Sequence, residues 1–126
     1  MGLLLGLAAL GAPAAWGLDC DERWLSRTEL VICADPKLLR MEEKVSRRVK
    51  GNAVRLSFGQ YLGLRHWQAW QARQRDVCRA DRGCIAASLR AQSRFLDRLQ
   101  RCTATGLGRR GCLRNLLADE RASIRR

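Results

Sequence analysis

Six cysteines are the most reactive side chains of this 126-residue chain, because a thiol can attack a substrate, hold a metal or pair in a disulfide. An even number of cysteines in a small chain that leaves the cytoplasm is typical of a disulfide framework. Many pairings are open to six cysteines, and the spacing favours the neighbours 20–33, 78–84 and 102–112. The predicted disulfide residues are Cys20, Cys33, Cys78, Cys84, Cys102 and Cys112.

The same residues argue against a metal centre and against thiol catalysis. The sequence has no C-x-x-C pair, and its only histidine, His66, stands far from the cysteines. Thiols that are consumed in disulfides are not nucleophiles. We therefore predict no metal site.

Other candidates for acid–base or cofactor chemistry are few. His66, next to Trp67, fits a partly exposed helix residue better than a general base. Glu42 and Glu43 lie among basic residues and fit solvated ion-pair partners better than a catalytic acid and base. No glycine-rich phosphate loop of the P-loop or dinucleotide type occurs. We predict that the protein is not an enzyme and binds no cofactor.

The stretch "RHWQAWQARQRDVC" combines aromatic and basic side chains at helical spacing. Trp67, Trp70 and Arg73 recur every three residues and so share one face of a helix. This face is either a core stripe edged by arginine stems, which we favour, or a surface on which nucleic-acid bases or sugars stack. Helical spacing alone fits both interpretations.

The net charge of +12 is concentrated in the second half of the chain. Residues 1–60 hold nine basic and seven acidic side chains, whereas residues 61–126 hold fifteen and five. Such a basic half favours an anionic partner, namely lipid headgroups, lipopolysaccharide, nucleic acid or an acidic protein cleft. Nucleic acid is the least favoured of these if the chain is exported.

Residues 1–17, "MGLLLGLAALGAPAAWG", contain no charged residue. We predict that they form a secretory signal peptide, with small residues suited to cleavage near its end. The alternative is an apolar helix of the core. The run is too short to span a bilayer, so we expect no transmembrane segment in the mature chain. The expected location is the periplasm or the cell surface.

The elements that position these residues are all predicted to be helices. Ser26 and Glu29 have the spacing of a capping box, which begins a helix that runs to Cys33. Asp35 and Pro36 suit the N-cap and first turn of a second helix, which ends or bends near Gly51–Asn52.

Three further helical stretches follow in the second half of the chain. They run from about 54 to 77, from about 85 to 101, and through a last short helix up to Ile124. The segments "CRADRGC", with Gly83 in a tight loop, and "TATGLGRRG" connect them. No alternating strand pattern occurs, so we predict an all-α fold, a small antiparallel helical bundle stapled by disulfides.

The order of these motifs resembles a known family. Cys20, "SRTELVIC", "DPKLLRMEEKV" and a tryptophan-rich helix ending in "RDVC" follow one another as in the LprI-like lysozyme inhibitor family of exported bacterial proteins. The resemblance covers about Cys20 to Leu99 and implies a helical domain over residues 18–101. Residues 102–126, with a disulfide loop and a short helix, lie outside it.

The resemblance implies a non-enzymatic binding protein, with lysozyme as a candidate protein partner inhibited by direct contact. The alternative is a basic module that binds anionic lipid or lipopolysaccharide in the cell envelope. An arginine placed in an acidic catalytic cleft would suit an inhibitor despite the repulsion between two basic proteins. The candidate partner-binding residues are Arg79 and Arg82 in the first loop, or Arg109 and Arg110 in the second.

Overall fold

The computed structural model describes residues 17–104 and 109–124, and omits the side chains of residues 109, 110, 123 and 124. The predicted signal peptide, residues 1–17, lies outside the described residues except for Gly17. The described residues form five α-helices and no strand, which confirms the predicted all-α, disulfide-stapled fold. The helices are α1 (Arg27–Ala34), α2 (Pro36–Ala53), α3 (Phe58–Asp76), α4 (Arg82–Ala104) and α5 (Arg109–Ile124).

The first two helices begin at the predicted residues, because local side chains cap them. Ser26 caps α1, since its hydroxyl accepts from the Glu29 N–H while the Glu29 carboxylate accepts from the Ser26 N–H. Asp35 is the single residue between α1 and α2, and its carboxylate accepts from the N–H groups of Lys37 and Leu38. Pro36 occupies the first position of α2, where its missing N–H costs nothing.

The third and fourth helices begin at residues that differ from the predicted ones. α3 starts at Phe58 rather than near Val54, because Ser57 and Gln60 form a second capping box. α4 starts at Arg82 rather than Ile85, because the Asp81 carboxylate accepts from the Cys84 N–H. The expected loop position of Gly83 was therefore wrong, since Gly83 lies inside α4.

The last helix is longer than the short one expected, with 16 residues. Residues 103–111 were expected to form a loop, but α4 continues to Ala104 and α5 begins at Arg109, so both ends of this stretch are helical. Residues 105–108 between them lie outside the described part of the chain.

The core lies between α2 and α4 and is extended by the other helices. Trp67 of α3 stacks on Phe95 of α4 with ring centroids 4.2 Å apart. Leu113 of α5 is buried in the same cluster, so the C-terminal helix packs on the bundle rather than apart from it. Each fully buried leucine, isoleucine or phenylalanine contributes about 1.5–3 kcal/mol. The fully buried members are Ile32, Val49, Leu64, Ile85, Leu89, Phe95, Leu96 and Leu99.

All six cysteines are paired, each with its neighbour in the sequence. The Cα atoms lie 5.7 Å apart in Cys20–Cys33, 5.5 Å in Cys78–Cys84 and 5.9 Å in Cys102–Cys112. Disulfides of this kind indicate an oxidising, exported environment. Among the described helices, none has the length and apolar character to cross a membrane.

Candidate functional site

The turn between α3 and α4, residues 77–81, carries one of the predicted partner-binding arginines, and α4 begins with the other. Arg79 is exposed and has a φ of 52°, the left-handed region that normally selects glycine or asparagine. The Arg82 side chain is 68% exposed, with its Nε 3.4 Å from Asp35 Oδ2. Both guanidinium groups are therefore presented to solvent at one end of the bundle.

The turn is held by its own backbone and by a disulfide. The N–H groups of Cys78, Arg79 and Asp81 donate to the carbonyl oxygens three residues earlier, at 2.9, 3.1 and 3.0 Å. The Cys78–Cys84 bond closes the loop around Arg79 and Arg82. These contacts fix the backbone on both sides of Arg79.

Helix α1 attaches to the same turn through two hydroxyl groups. The buried Thr28 hydroxyl donates to the Arg79 carbonyl oxygen at 2.7 Å, and the Ser26 hydroxyl donates to Asp76 Oδ1 at 2.9 Å. The segment that caps α1 is thus also the support of the turn. A hydrogen bond to a buried hydroxyl contributes about 1 kcal/mol, more if its loss leaves a partner unsatisfied.

Exposed apolar side chains lie close in the sequence to the two residues of the Ser26–Asp76 hydrogen bond. Trp24 is 88% exposed and Val77 is 77% exposed, and each lies within two residues of that bond in the sequence. Leu30, one turn further along α1, is also exposed. Tryptophan and arginine are the residue types that most often anchor protein interfaces. We call the set Trp24, Leu30, Val77, Arg79 and Arg82 the arginine-turn surface.

The second pair of predicted arginines does not join this surface. Arg109 and Arg110 begin α5, and the Cys102–Cys112 bond ties that start to the end of α4. α4 is about 35 Å long at 1.5 Å per residue, so they lie near the opposite end from Arg82. Their side chains lie outside the described part of the structure.

Glu42 was wrongly expected to be solvated. Its carboxylate is buried and accepts from Arg75 Nη1 at 2.7 Å, in an ion pair that joins α2 to α3. Glu43, the next residue, is exposed as expected. Helical spacing could have distinguished the two carboxylates, because Glu42 lies on the buried face of α2 with Leu38 and Val45. Its partner could not be identified in this way, since Arg75 is 33 residues away.

The tryptophan-rich face of α3 is divided between core and surface. Trp67 is 3% exposed and belongs to the core, as the favoured interpretation predicted. Trp70 is half-buried, Arg73 is exposed, and both line a cleft together with the exposed His66. Within residues 17–104 and 109–124, no group of three His, Cys, Asp or Glu side chains could hold a metal ion.

No protein-family model, no curated protein and no solved structure matches the chain. The resemblance to the LprI-like inhibitors therefore stays a prediction from the sequence motifs.

Proposed function

We propose that the protein is an exported, non-enzymatic binding protein that places its arginine-turn surface against an acidic cleft of a protein partner. Lysozyme is the candidate partner, because its class of inhibitor is the one that the sequence motifs resemble. The observation that carries the proposal is the left-handed conformation of Arg79, which presents an exposed guanidinium from a fixed backbone.

A left-handed arginine is a costly choice for stability alone. The conformation costs about 1–2 kcal/mol in a residue with a Cβ atom, and glycine would avoid it. Strain of this kind persists where the surrounding structure fixes it, and it concentrates at functional sites. The disulfide, the turn hydrogen bonds and Thr28 supply that fixation here.

The surface has the composition that a protein interface needs. An exposed tryptophan and two exposed arginines offer an apolar anchor and bidentate donors for carboxylates. Net repulsion between two basic proteins slows their encounter, while complementary charges in contact act at short range. An arginine between the acidic groups of a cleft would block the substrate without any chemical step.

An inhibition assay with matched variants tests this proposal. The oxidised protein should inhibit a lysozyme, and the double variant R79A/R82A should lose that inhibition. The control R47A/R55A also removes two positive charges, but near the C-terminal end of α2, a helix about 27 Å long. This control should inhibit lysozyme as the wild type does. Absence of inhibition against every lysozyme class, or equal losses in both variants, would contradict the proposal.

A second candidate function is supported by a basic groove at the end of α2. Lys44, Arg47, Arg48 and Arg55 line a space of about 320 Å³ with Gln100 of α4. No carboxylate belongs to its lining in the described part of the chain, although Arg48 is paired with Asp97 behind it. Such a groove suits a phosphate group of an anionic lipid or of lipopolysaccharide.

The two candidate functions respond differently to the same variants. Binding to vesicles of anionic phospholipid should be lost in R47A/R55A and kept in R79A/R82A. It should also weaken steeply as salt rises, because exposed charges are screened within about 8 Å at physiological ionic strength. Inhibition through a desolvated anchor should depend less on salt.

A further inference from the structure

A cleft between α3 and α5 is lined by residues that belong to neither surface used in the proposed function. Its volume is about 480 Å³, within the roughly 300–1,000 Å³ of typical small-molecule sites. Two tryptophans, a leucine, a histidine, two arginines and a glutamate form its walls. The residues are Gly63, His66, Trp67, Trp70, Arg73, Leu117, Glu120 and Arg121.

Gly63 lies where α3 and α5 pack together beside the cleft. A Cβ atom at this position would lie 3.4 Å from Leu113 Cδ2 and 3.9 Å from Leu117 Cδ1. Both distances are those of ordinary van der Waals contact, so α5 lies directly against α3 at this point. Leu117 thereby becomes an apolar wall of the cleft.

The aromatic wall contains a polar group without a partner. Trp67 packs its ring on Phe95, and its buried Nε1–H has no acceptor among the described residues. Leaving a buried donor unsatisfied costs about 1–3 kcal/mol. Trp70, three residues further along α3, is half-buried and offers a ring to the cleft.

Basic groups outnumber acidic groups in the lining. Arg73 and Arg121 are exposed and approach the cleft from α3 and α5, and His66 lies beside them. Glu120 is the one carboxylate among the lining residues. Desolvation by burial raises the pKa of Glu120, and Arg98 opposes that shift more weakly. A ligand with one negative charge suits this balance better than a polyanion.

We propose that this cleft binds a small aromatic monocarboxylate, with its ring on Trp70 and its carboxylate between Arg73 and Arg121. Stacking on an aromatic side chain and pairing with arginine are each favourable for such a ligand. The proposal does not depend on lysozyme inhibition, because none of its residues belongs to the arginine-turn surface.

The test is a titration of the full oxidised chain with 2-naphthoate, followed by ¹H–¹⁵N NMR and calorimetry. We expect saturable binding and a shift of the Trp67 indole resonance, identified by comparison with W67F. The variant R73A/R121A should bind about tenfold more weakly, as two exposed ion pairs imply. R47A/R55A, which loses the same charge elsewhere, should bind as the wild type does.

Two further ligands separate the parts of the proposal. 2-Naphthylmethylamine has a comparable ring with the opposite charge, and cyclohexanecarboxylate has the charge without the aromatic ring; both should bind more weakly. The spectra of each variant show whether it is folded. Equal affinity for the amine, equal weakening in R47A/R55A, or an indole resonance that never shifts at saturation would overturn the proposal.

Discussion

Arg75 and Glu42 form a buried ion pair across the helix interface, with Arg75 Nη1 2.7 Å from Glu42 Oε2. The residues are 5% and 6% exposed, so neither charge has much access to water. The Ser46 hydroxyl donates to the other carboxylate oxygen at 3.4 Å, whereas Arg75 Nε has no acceptor among the described residues. Such a pair stabilises a fold little in net terms, but removing one partner leaves an uncompensated buried charge.

The substitution Glu42→Gln should therefore lower the free energy of unfolding by about 3–5 kcal/mol, because Arg75 keeps its charge without a counter-ion. Chemical denaturation of the oxidised protein measures the change. Glu43→Gln is the control on the adjacent exposed carboxylate and should change stability by less than about 0.5 kcal/mol. Equal effects of the two substitutions would show that the pair is not buried in solution.

Arg79→Gly should stabilise the protein by about 1 kcal/mol, since glycine adopts the left-handed backbone without strain. Arg79→Ala removes the same guanidinium but keeps a Cβ atom, so it should lack this gain. Thermal unfolding of the two variants isolates the backbone effect from the loss of charge. A glycine variant no more stable than the alanine variant would refute the left-handed assignment.

Thr28→Val should cost about 1–2 kcal/mol, because it removes the hydroxyl that donates to the Arg79 carbonyl oxygen and preserves the side-chain shape. Hydrogen exchange should then accelerate at the amides of residues 77–81. Ser57→Ala, which removes the N-cap of α3, should cost a comparable amount and leave exchange in that turn unchanged. Unchanged exchange in T28V would mean that α1 does not support the turn.

At neutral pH, Glu120→Gln should make the protein more stable than the wild type. At acidic pH, this difference in stability should disappear. The folded pKa of Glu120 is raised above its ordinary value of 4.5, so the folded state disfavours the ionised carboxylate. That cost is complete above the raised pKa and disappears below the ordinary one, where the carboxyl is protonated in both states. Unfolding curves at several pH values, compared between the variant and the wild type, measure it. A variant that is less stable at neutral pH would contradict the assignment.

Features set by neighbouring residues could be predicted from the sequence, and features set by distant contacts could not. The caps at Ser26 and Asp35 depend on residues within one turn, and both were predicted. The cap at Ser57 has the same Ser-x-x-Gln/Glu spacing and could have been predicted, although the helix was expected to start near residue 54.

The same distinction between local and distant contacts applies to the candidate site. The exposure of Arg79 and Arg82 follows from their place in a short disulfide loop, which the cysteine spacing indicates. The left-handed backbone of Arg79 is held partly from outside the turn, by the hydrogen bond from Thr28, which is 51 residues away. The cleft beside Trp70 exists because α5 packs on α3, and no local pattern encodes that contact.

The three disulfides close short stretches of chain, with sequence separations of 13, 6 and 10 residues. Each pair of cysteines can therefore meet before the rest of the polypeptide has reached the oxidising environment, since the entropic cost of closing a loop is small for such lengths. Oxidation would then proceed in order from the first pair to the last, with little need for an isomerase. Trapping of free thiols on a stepwise-lengthened series of nascent chains would reveal this order, and scrambled or late pairing would exclude it.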